Sequence, residues 1–510
     1  MNTESKNAAA DRAPDKLRWM VLLTVIVGTF LGRLDQTVVN LAIPKIIDDF
    51  GVTVSSASWI VTAYIIANAV FVPIWGKLGD TIGRKKVYVI GFLVFIFGSI
   101  LAGLAWNLSS MVVFRIIQAV ASSADYPTAM AIIAVTFRTP KERGQALGIW
   151  SSAFASSAVF GPLIGGPLID TFGWRSVFLI NLPVGLLGLF MALTYVRESV
   201  SEKKILNFDW WGSATLGVAL ATLVLLLDRG SDWGWTSPSA LVSYALIVVF
   251  SLIFWLIERA HPEPVVDFEF FRNGTFNGAL LNNFLLFLAM MGSVYAVPIF
   301  AQTFLGYDAT QSGLLFVPMG VCIPLSAAIL GRYFQSRNYS NRAVIFWSTA
   351  GGAAAFYLLS FIDPRSTAFD LYMPLAVMAV FMGFGMGPRT NAIAGAVPPS
   401  EIGVASSILA LARNIGGAFG VAIFATLINT FSENNVLALS RYSIIHATSA
   451  VERATAVALI ELKAQVLAYA EIYRLAAVVV LLSAFTVFLM KKEESGAKLS
   501  HEEAARAEAG

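Results

Sequence analysis

The stretch that decides the fold is Gly76-Lys-Leu-Gly-Asp-Thr-Ile-Gly-Arg-Lys-Lys86. It lies between two segments, 58–75 and 87–105, apolar enough to cross a bilayer, yet five of its eleven residues are charged and three are glycine. A nucleotide-binding reading of it fails, because no Lys here is followed by Ser or Thr as a phosphate-binding loop requires. The cassette reads as a short polar loop between two membrane spans.

The rest of the chain supports that setting. Of 510 residues, 57% are hydrophobic and only 13% charged, with a mean hydropathy of +0.71; a soluble chain carries roughly a quarter charged residues. Runs of about twenty apolar residues recur, each long enough to cross a hydrocarbon core of roughly 30 Å. The pattern predicts an all-α polytopic membrane protein with fourteen spans, near 19–43, 58–75, 87–105, 109–135, 146–169, 174–196, 210–227, 238–257, 275–303, 309–330, 343–362, 370–396, 403–430 and 470–490. Residues 1–18 form a polar tail, no cleavable signal peptide is expected, and the tail from 491 to 510 is polar again. Cys322 is the only cysteine, which excludes an internal disulfide and a cysteine-built metal site. No cofactor or metal is expected.

An even number of spans puts both termini on one side. Lys and Arg crowd the alternate loops that share a side with the N-terminus, which the positive-inside rule makes cytosolic. Residues 76–86 are then a cytosolic loop. Gly331-Arg-Tyr-Phe-Gln-Ser-Arg-Asn338 repeats its outline 255 residues later. Two six-span bundles, 19–197 and 275–490, account for the repeat, with 198–274 contributing an inserted pair of spans. Repeated halves around a central site are the architecture of secondary transporters.

The cassette at 76–86 resembles the signature loop of the major facilitator superfamily. Further stretches are similar to its fourteen-helix drug:proton antiporter branch: Leu34-Asp-Gln-Thr-Val-Val-Asn-Leu-Ala-Ile-Pro44, Arg115-Ile-Ile-Gln118, Gly161-Pro-Leu-Ile-Gly-Gly166, Trp174-Arg-Ser-Val-Phe-Leu-Ile-Asn-Leu-Pro-Val-Gly185 and Leu227-Asp-Arg-Gly230. Ala119 and Ser157 stand where the branch has glycine. The resemblance implies a major facilitator fold and export driven by the proton motive force. It also implies that Gly76, Asp80, Gly83, Arg84 and Lys85 latch a cytosolic gate. Gly161, Pro162, Gly165 and Gly166 would form the antiporter element of span five, kinking it and letting it lie close against a neighbour. Arg413 and Asn414 resemble a family element and are expected to cross-brace the C-terminal half.

Charges inside spans are costly and usually functional. Arg33, Arg115 and Arg413 are the basic residues read as lying within spans. Asp35 is roughly 13 Å and Arg115 roughly 9 Å below the outer surface at 1.5 Å per residue, so the two form a candidate ion pair. With Gln118 they are expected to couple proton release to substrate arrival; the alternative is a static structural pair. Arg115, Gln118, Ser122 and Asp125 are spaced 3, 4 and 3 and fall on one helix face. Asp125 is the second candidate for protonation or substrate contact, on spacing alone; its bland alternative is a neutral carboxyl bonded to the next helix. Arg33 sits roughly 200° round the helix from Asp35; it either snorkels outward or lines the cavity and favours anionic groups. Asn282, Asn283, Tyr295 and Gln302 in span nine, with Phe and Met residues around them, suit a large amphipathic cavity. The inserted spans read as peripheral.

These observations point to a proton-coupled exporter of amphipathic compounds in a bacterial cytoplasmic membrane. The expected partners are a small amphipathic substrate, protons and the bilayer, with no nucleic acid. A periplasmic adaptor and an oligomeric state are not indicated by the sequence. The rival reading is a dedicated exporter of one endogenous anionic or zwitterionic metabolite or lipid, for which Arg33 is the pointer. An enzyme is disfavoured, since His261, His446 and His501 all fall outside the spans.

Overall fold

In hydrocarbon each backbone N–H and C=O must find its partner within the segment, which leaves the helix as the solution for a chain this apolar. The computed structural model describes residues 15–491 apart from 138, 200–208, 263, 267, 338, 399–400 and 443–449. Among the described residues the chain is helical and contains no strand. The long helices are α1 (Asp15–Phe50), α2 (Trp59–Ile82), α3 (Arg84–Gly103), α4 (Leu108–Ser122), α5 (Asp125–Thr136), α6 (Pro140–Phe172), α7 (Asn181–Tyr195), α8 (Trp210–Trp233), α9 (Pro238–Ala260), α10 (Gly274–Phe304), α11 (Val317–Ser326), α12 (Asn341–Leu359), α13 (Ala368–Gly395), α14 (Ile402–Tyr442) and α15 (Ala450–Ala484). Side-chain caps mark several starts: Asn107 accepts from Ser110 N–H, Thr139 from Glu142 N–H, and Ser237 from Ala240 N–H. Each satisfies a donor that the first turn would otherwise leave open.

Twelve helices among the described residues are long and apolar enough to cross a membrane, making this a multi-pass membrane protein. The two expected spans outside that set are helical as well. The 146–169 segment falls within α6, and 109–135 is divided into α4 and α5. Pro127 accounts for the division: it has no N–H for the Ser123 carbonyl, and its ring crowds that carbonyl. Ala124 N–H shifts to Ala121 O (3.2 Å). The freed Val120 carbonyl accepts from Trp75 Nε1 and Ser123 Oγ, both at 2.7 Å.

Two compact units make up the chain. The first takes the chain up to 267 together with Val397–Asn414; the second takes Phe268–Ala396 and the chain from Ile415. These units differ in outline from the expected bundles at two places. The inserted helices α8 and α9 belong to the first unit, and so does 397–414. In the first unit α8 is fastened to α2 by polar bonds at its end: Thr62 Oγ1 donates to Asp228 (2.8 Å) and Arg229 to Ser58 Oγ (2.6 Å). Only 17% of the most apolar stretch of α9 is buried, so that helix faces outward from the protein. One core of this unit gathers Leu34, Val38 and Ile46 of α1 against Met111, Trp174 and Phe178. In the second unit α14 and α15 extend past their expected spans as unbroken helices into 431–468, of which 443–449 lies outside the described residues.

Candidate functional site

Asp35 and Arg115 meet as the sequence predicts. Arg115 Nη1 lies 2.6 Å from Asp35 Oδ2, with both side chains almost fully buried. The remaining Asp35 oxygen accepts from Gln118 Nε2 (2.9 Å) and Asn181 Nδ2 (2.8 Å). Gln118 also bonds Ser99 Oγ (2.6 Å), and the Arg115 guanidinium lies 4.1 Å from the Tyr64 ring centroid. Asp35 thus receives three donors from α4 and α7. Asn181, the third of them, was not singled out in the sequence; its place in the 174–185 stretch was the available signal.

Asp125 is arranged differently. The helix face expected to carry Arg115, Gln118, Ser122 and Asp125 together is split by the irregularity at 123–124. Arg115 and Gln118 turn to Asp35, whereas Ser122 Oγ bonds Tyr64 (2.6 Å) and Asn68 (3.1 Å). Asp125 Oδ2 accepts from Thr29 (2.7 Å), whose hydroxyl accepts in turn from Trp150 Nε1 (2.8 Å). Asp125 Oδ1 is buried and makes no hydrogen bond of regular geometry, with the Tyr88 hydroxyl beside it. The residue lines two small cavities. One is apolar and aromatic, lined by Leu31, Tyr88, Phe92 and Phe95. The other is polar and includes Arg33, Gln36, Asn68, Tyr126 and Asn414. Asp125, Ser122 and Gly32 line both. Arg33 lines the cavity, and its Nη1 donates to Gln36 Oε1 (2.9 Å).

Arg413 and Asn414 lie on the stretch of α14 that groups with the first unit. Arg413 donates to the Tyr126 hydroxyl and lies 5.4 Å from that ring's centroid, because α5 supplies the acceptor that a buried guanidinium needs.

The 76–86 cassette is hardly a loop. Residues 76–82 continue α2 and 84–86 open α3, leaving Gly83 alone as the link. Its φ of 113° is open to glycine at little cost. Asp80 Oδ1 takes the Arg84 guanidinium (2.8 and 3.2 Å), and Oδ2 accepts from Val404 N–H (3.1 Å) in the first turn of α14. A carboxylate there also complements the helix dipole. A Cβ on Gly76 would stand 2.7 Å from Gly403 O, so that glycine permits the crossing. Glu198 completes the turn by accepting from the N–H groups of Lys85 (3.1 Å) and Lys86 (3.2 Å), while Lys85 Nζ reaches Leu193 O (2.7 Å).

Along α6 the glycines do unequal work. A Cβ on Gly161 would lie 2.1 Å from Thr37 Oγ1, and one on Gly165 would lie 2.8 Å from Val38 Cγ1, so both hold α6 tightly against α1. Gly166 has nothing within 4 Å of that position, contrary to the expectation of close packing there. The side chain of Pro162 lies outside the described part of the structure, and α6 stays helical from Pro140 to Phe172.

A family model described as Major Facilitator Superfamily matches residues 25–421. The chain belongs to the major facilitator superfamily. A relative named multidrug transporter protein MdtP, from Bacillus subtilis (strain 168), is 31% identical over 82% of this chain and 76% of its own. The multidrug export protein EmrB of Haemophilus influenzae is 29% identical over 82% of each chain. Among solved structures, the human organic anion transporter MFSD10 superposes with a TM-score of 0.61 over 93% of this chain and all of its own, at 14% identity, which speaks to the fold alone.

The superfamily's repeated architecture shows in a residue that the sequence reading missed. Arg389 of α13 is 1% exposed; it lies inside the expected span 370–396 but was not singled out there. It donates to Asn282 Oδ1 (2.8 Å), Ser348 Oγ (2.7 Å) and Thr349 Oγ1 (2.8 Å). The second unit thus holds a guanidinium network with an amide on its first helix, where the first unit has the Asp35 carboxylate. Asn282 is engaged by it, and Asn283 bonds back to Ala279 O (2.9 Å); both are buried.

Proposed function

We propose that this protein is a proton-coupled antiporter that exports amphipathic, multidrug-type compounds across a bacterial cytoplasmic membrane, with both termini cytosolic and the proton motive force as its drive. The relatives, a multidrug transporter and a multidrug export protein by name, support export of drugs. One observation carries the coupling: Asp125, half-buried within a span, lines both an apolar cavity and a polar one. A carboxyl so placed can hold either a proton or the cationic end of an amphipath whose apolar body lies along Phe92 and Phe95, and the two compete. Competition for one site is the simplest basis of exchange. Asp35, satisfied by three donors, acts as the partner that orients α4. The Asp80 contact with α14 is the latch that holds 397–414 in place during the cycle.

The test is transport by purified protein in liposomes, with an internal pH dye and ethidium as the amphipathic cation. Wild type moves protons when ethidium is added, and Asp125→Asn abolishes this while still binding ethidium weakly. Full proton-coupled efflux by Asp125→Asn would overturn the assignment.

A further inference from the structure

Arg33 has no task in the coupling scheme above, although it lines the same polar cavity as Asp125. Thr29 and Arg33 are one turn apart on α1, about 6 Å along the axis, and Thr29 is the residue that bonds Asp125. A guanidinium and a carboxyl therefore open onto one space about one helical turn apart. The polar side chains between and around them, Gln36, Asn68, Ser122 and Asn414, are neutral. Tyr126, with Arg413 bonded to its hydroxyl, closes another side. The apolar cavity adjoins this space at the Asp125 end.

Substrate charge can be argued from that arrangement. A simple cation would gain at Asp125 but bring its charge toward the Arg33 guanidinium. A simple anion would gain at Arg33 but be repelled by ionised Asp125. Protonation of Asp125 would then favour anion binding, which couples proton and substrate in the same direction and opposes exchange. A zwitterion meets both demands. Its ammonium competes with the proton for Asp125, and its carboxylate can take a two-point bond from the Arg33 guanidinium, for which arginine is the suited side chain. We infer that this cavity takes amphipathic zwitterions, with the carboxylate set against Arg33 and the ammonium against Asp125, an assignment that rests on the exporter reading above.

Charge balance adds a consequence. Exchange of one zwitterion outward for one proton inward carries one positive charge inward, whereas exchange of a monocation for one proton is electroneutral. Membrane potential therefore drives zwitterion export and leaves monocation export unaffected.

Three fluorescent probes on one frame test the assignment: Nε-dansyl-lysine, its methyl ester, which lacks the carboxylate, and its Nα-acetyl derivative, which lacks the ammonium. Binding is read by energy transfer from tryptophan to dansyl in purified full-length protein. Wild type binds the zwitterion at least about tenfold more tightly than either partner probe, the worth of one hydrogen bond to a charged group. Arg33→Gln brings the zwitterion down to the ester's affinity, and Arg33→Lys keeps part of the preference. Equal binding of zwitterion and ester by wild type would overturn the inference without recourse to any variant. So would an Arg33→Gln protein, folded by its melting curve, that keeps the wild-type ratio. The exporter reading fails by a separate result, in which no probe and no ethidium is moved by a pH gradient in proteoliposomes.

Discussion

Replacing Asp35 by Asn tests the division of labour between the two carboxyls of the first unit. The substitution keeps the volume and one acceptor oxygen, but it removes the charge opposite Arg115 and turns an NH₂ group toward donors. Arg115 Nη1 at 2.6 Å, Gln118 Nε2 at 2.9 Å and Asn181 Nδ2 at 2.8 Å all point at that carboxylate. Gln118 and Asn181 share Oδ1 and can keep the retained oxygen, whereas Arg115 Nη1 then faces the new NH₂ group. Arg115 keeps the Gln118 Oε1 contact (2.6 Å) and the Tyr64 ring, yet remains buried and without its counter-charge. Removing one partner of a buried ion pair costs about 3–5 kcal/mol, and the retained contacts place this case near about 3 kcal/mol. The melting temperature in detergent, followed by intrinsic fluorescence, should fall on the order of 5–10 °C. Arg115→Gln should behave similarly, and the double variant should recover much of the loss, giving a coupling energy of about 1–3 kcal/mol. A single variant that melts within about 1 °C of wild type, or a cycle with coupling below about 0.5 kcal/mol, would refute the structural role of the pair. Asp125→Asn, which removes one hydroxyl acceptor at most, should leave the melting temperature near that of wild type.

Gly161→Ala should destabilise by about 1–3 kcal/mol, since its new methyl meets Thr37 at 2.1 Å, whereas Gly166→Ala, with open space, should melt as wild type; equal behaviour of the two would discredit the α1–α6 packing. Asp80→Ala should raise amide hydrogen exchange at 403–406, because Val404 N–H loses its 3.1 Å acceptor; unchanged exchange would remove Asp80 from the latch. Asp49, beyond the membrane-spanning part of α1, is held below the usual carboxylate range by its bond from Trp174 Nε1 and then by Arg175. Its folded value being depressed, the contact is fully present above the ordinary value near 3.8 and is lost as pH falls through the lower folded one. Trp174 emission should titrate below that value, and the midpoint should rise in Arg175→Gln; a midpoint that stays put would show that Arg175 does not contribute.

The sequence by itself determined the fold class, because hydropathy, span length and the alternation of basic loops are local properties that the bilayer reads directly. It also supplied the Asp35–Arg115 pair, since equal depth on two spans is a matter of counting residues from a common surface. The neighbourhood of each carboxyl was decided only by the tertiary structure. Asp35 and Asp125 look alike along the chain, an acid in an apolar run with small residues nearby. Yet Asn181 reaches Asp35 from 146 residues away, while Thr29 reaches Asp125, which lines two cavities, from 96 residues away. The partner of Arg413 was hidden for the same reason, the Tyr126 hydroxyl lying 287 residues distant on α5. Periodicity assigns a side chain to a face of its own helix. Which donors stand opposite that face depends on how the helices pack, and so only the packed structure separates the closed carboxyl from the open one.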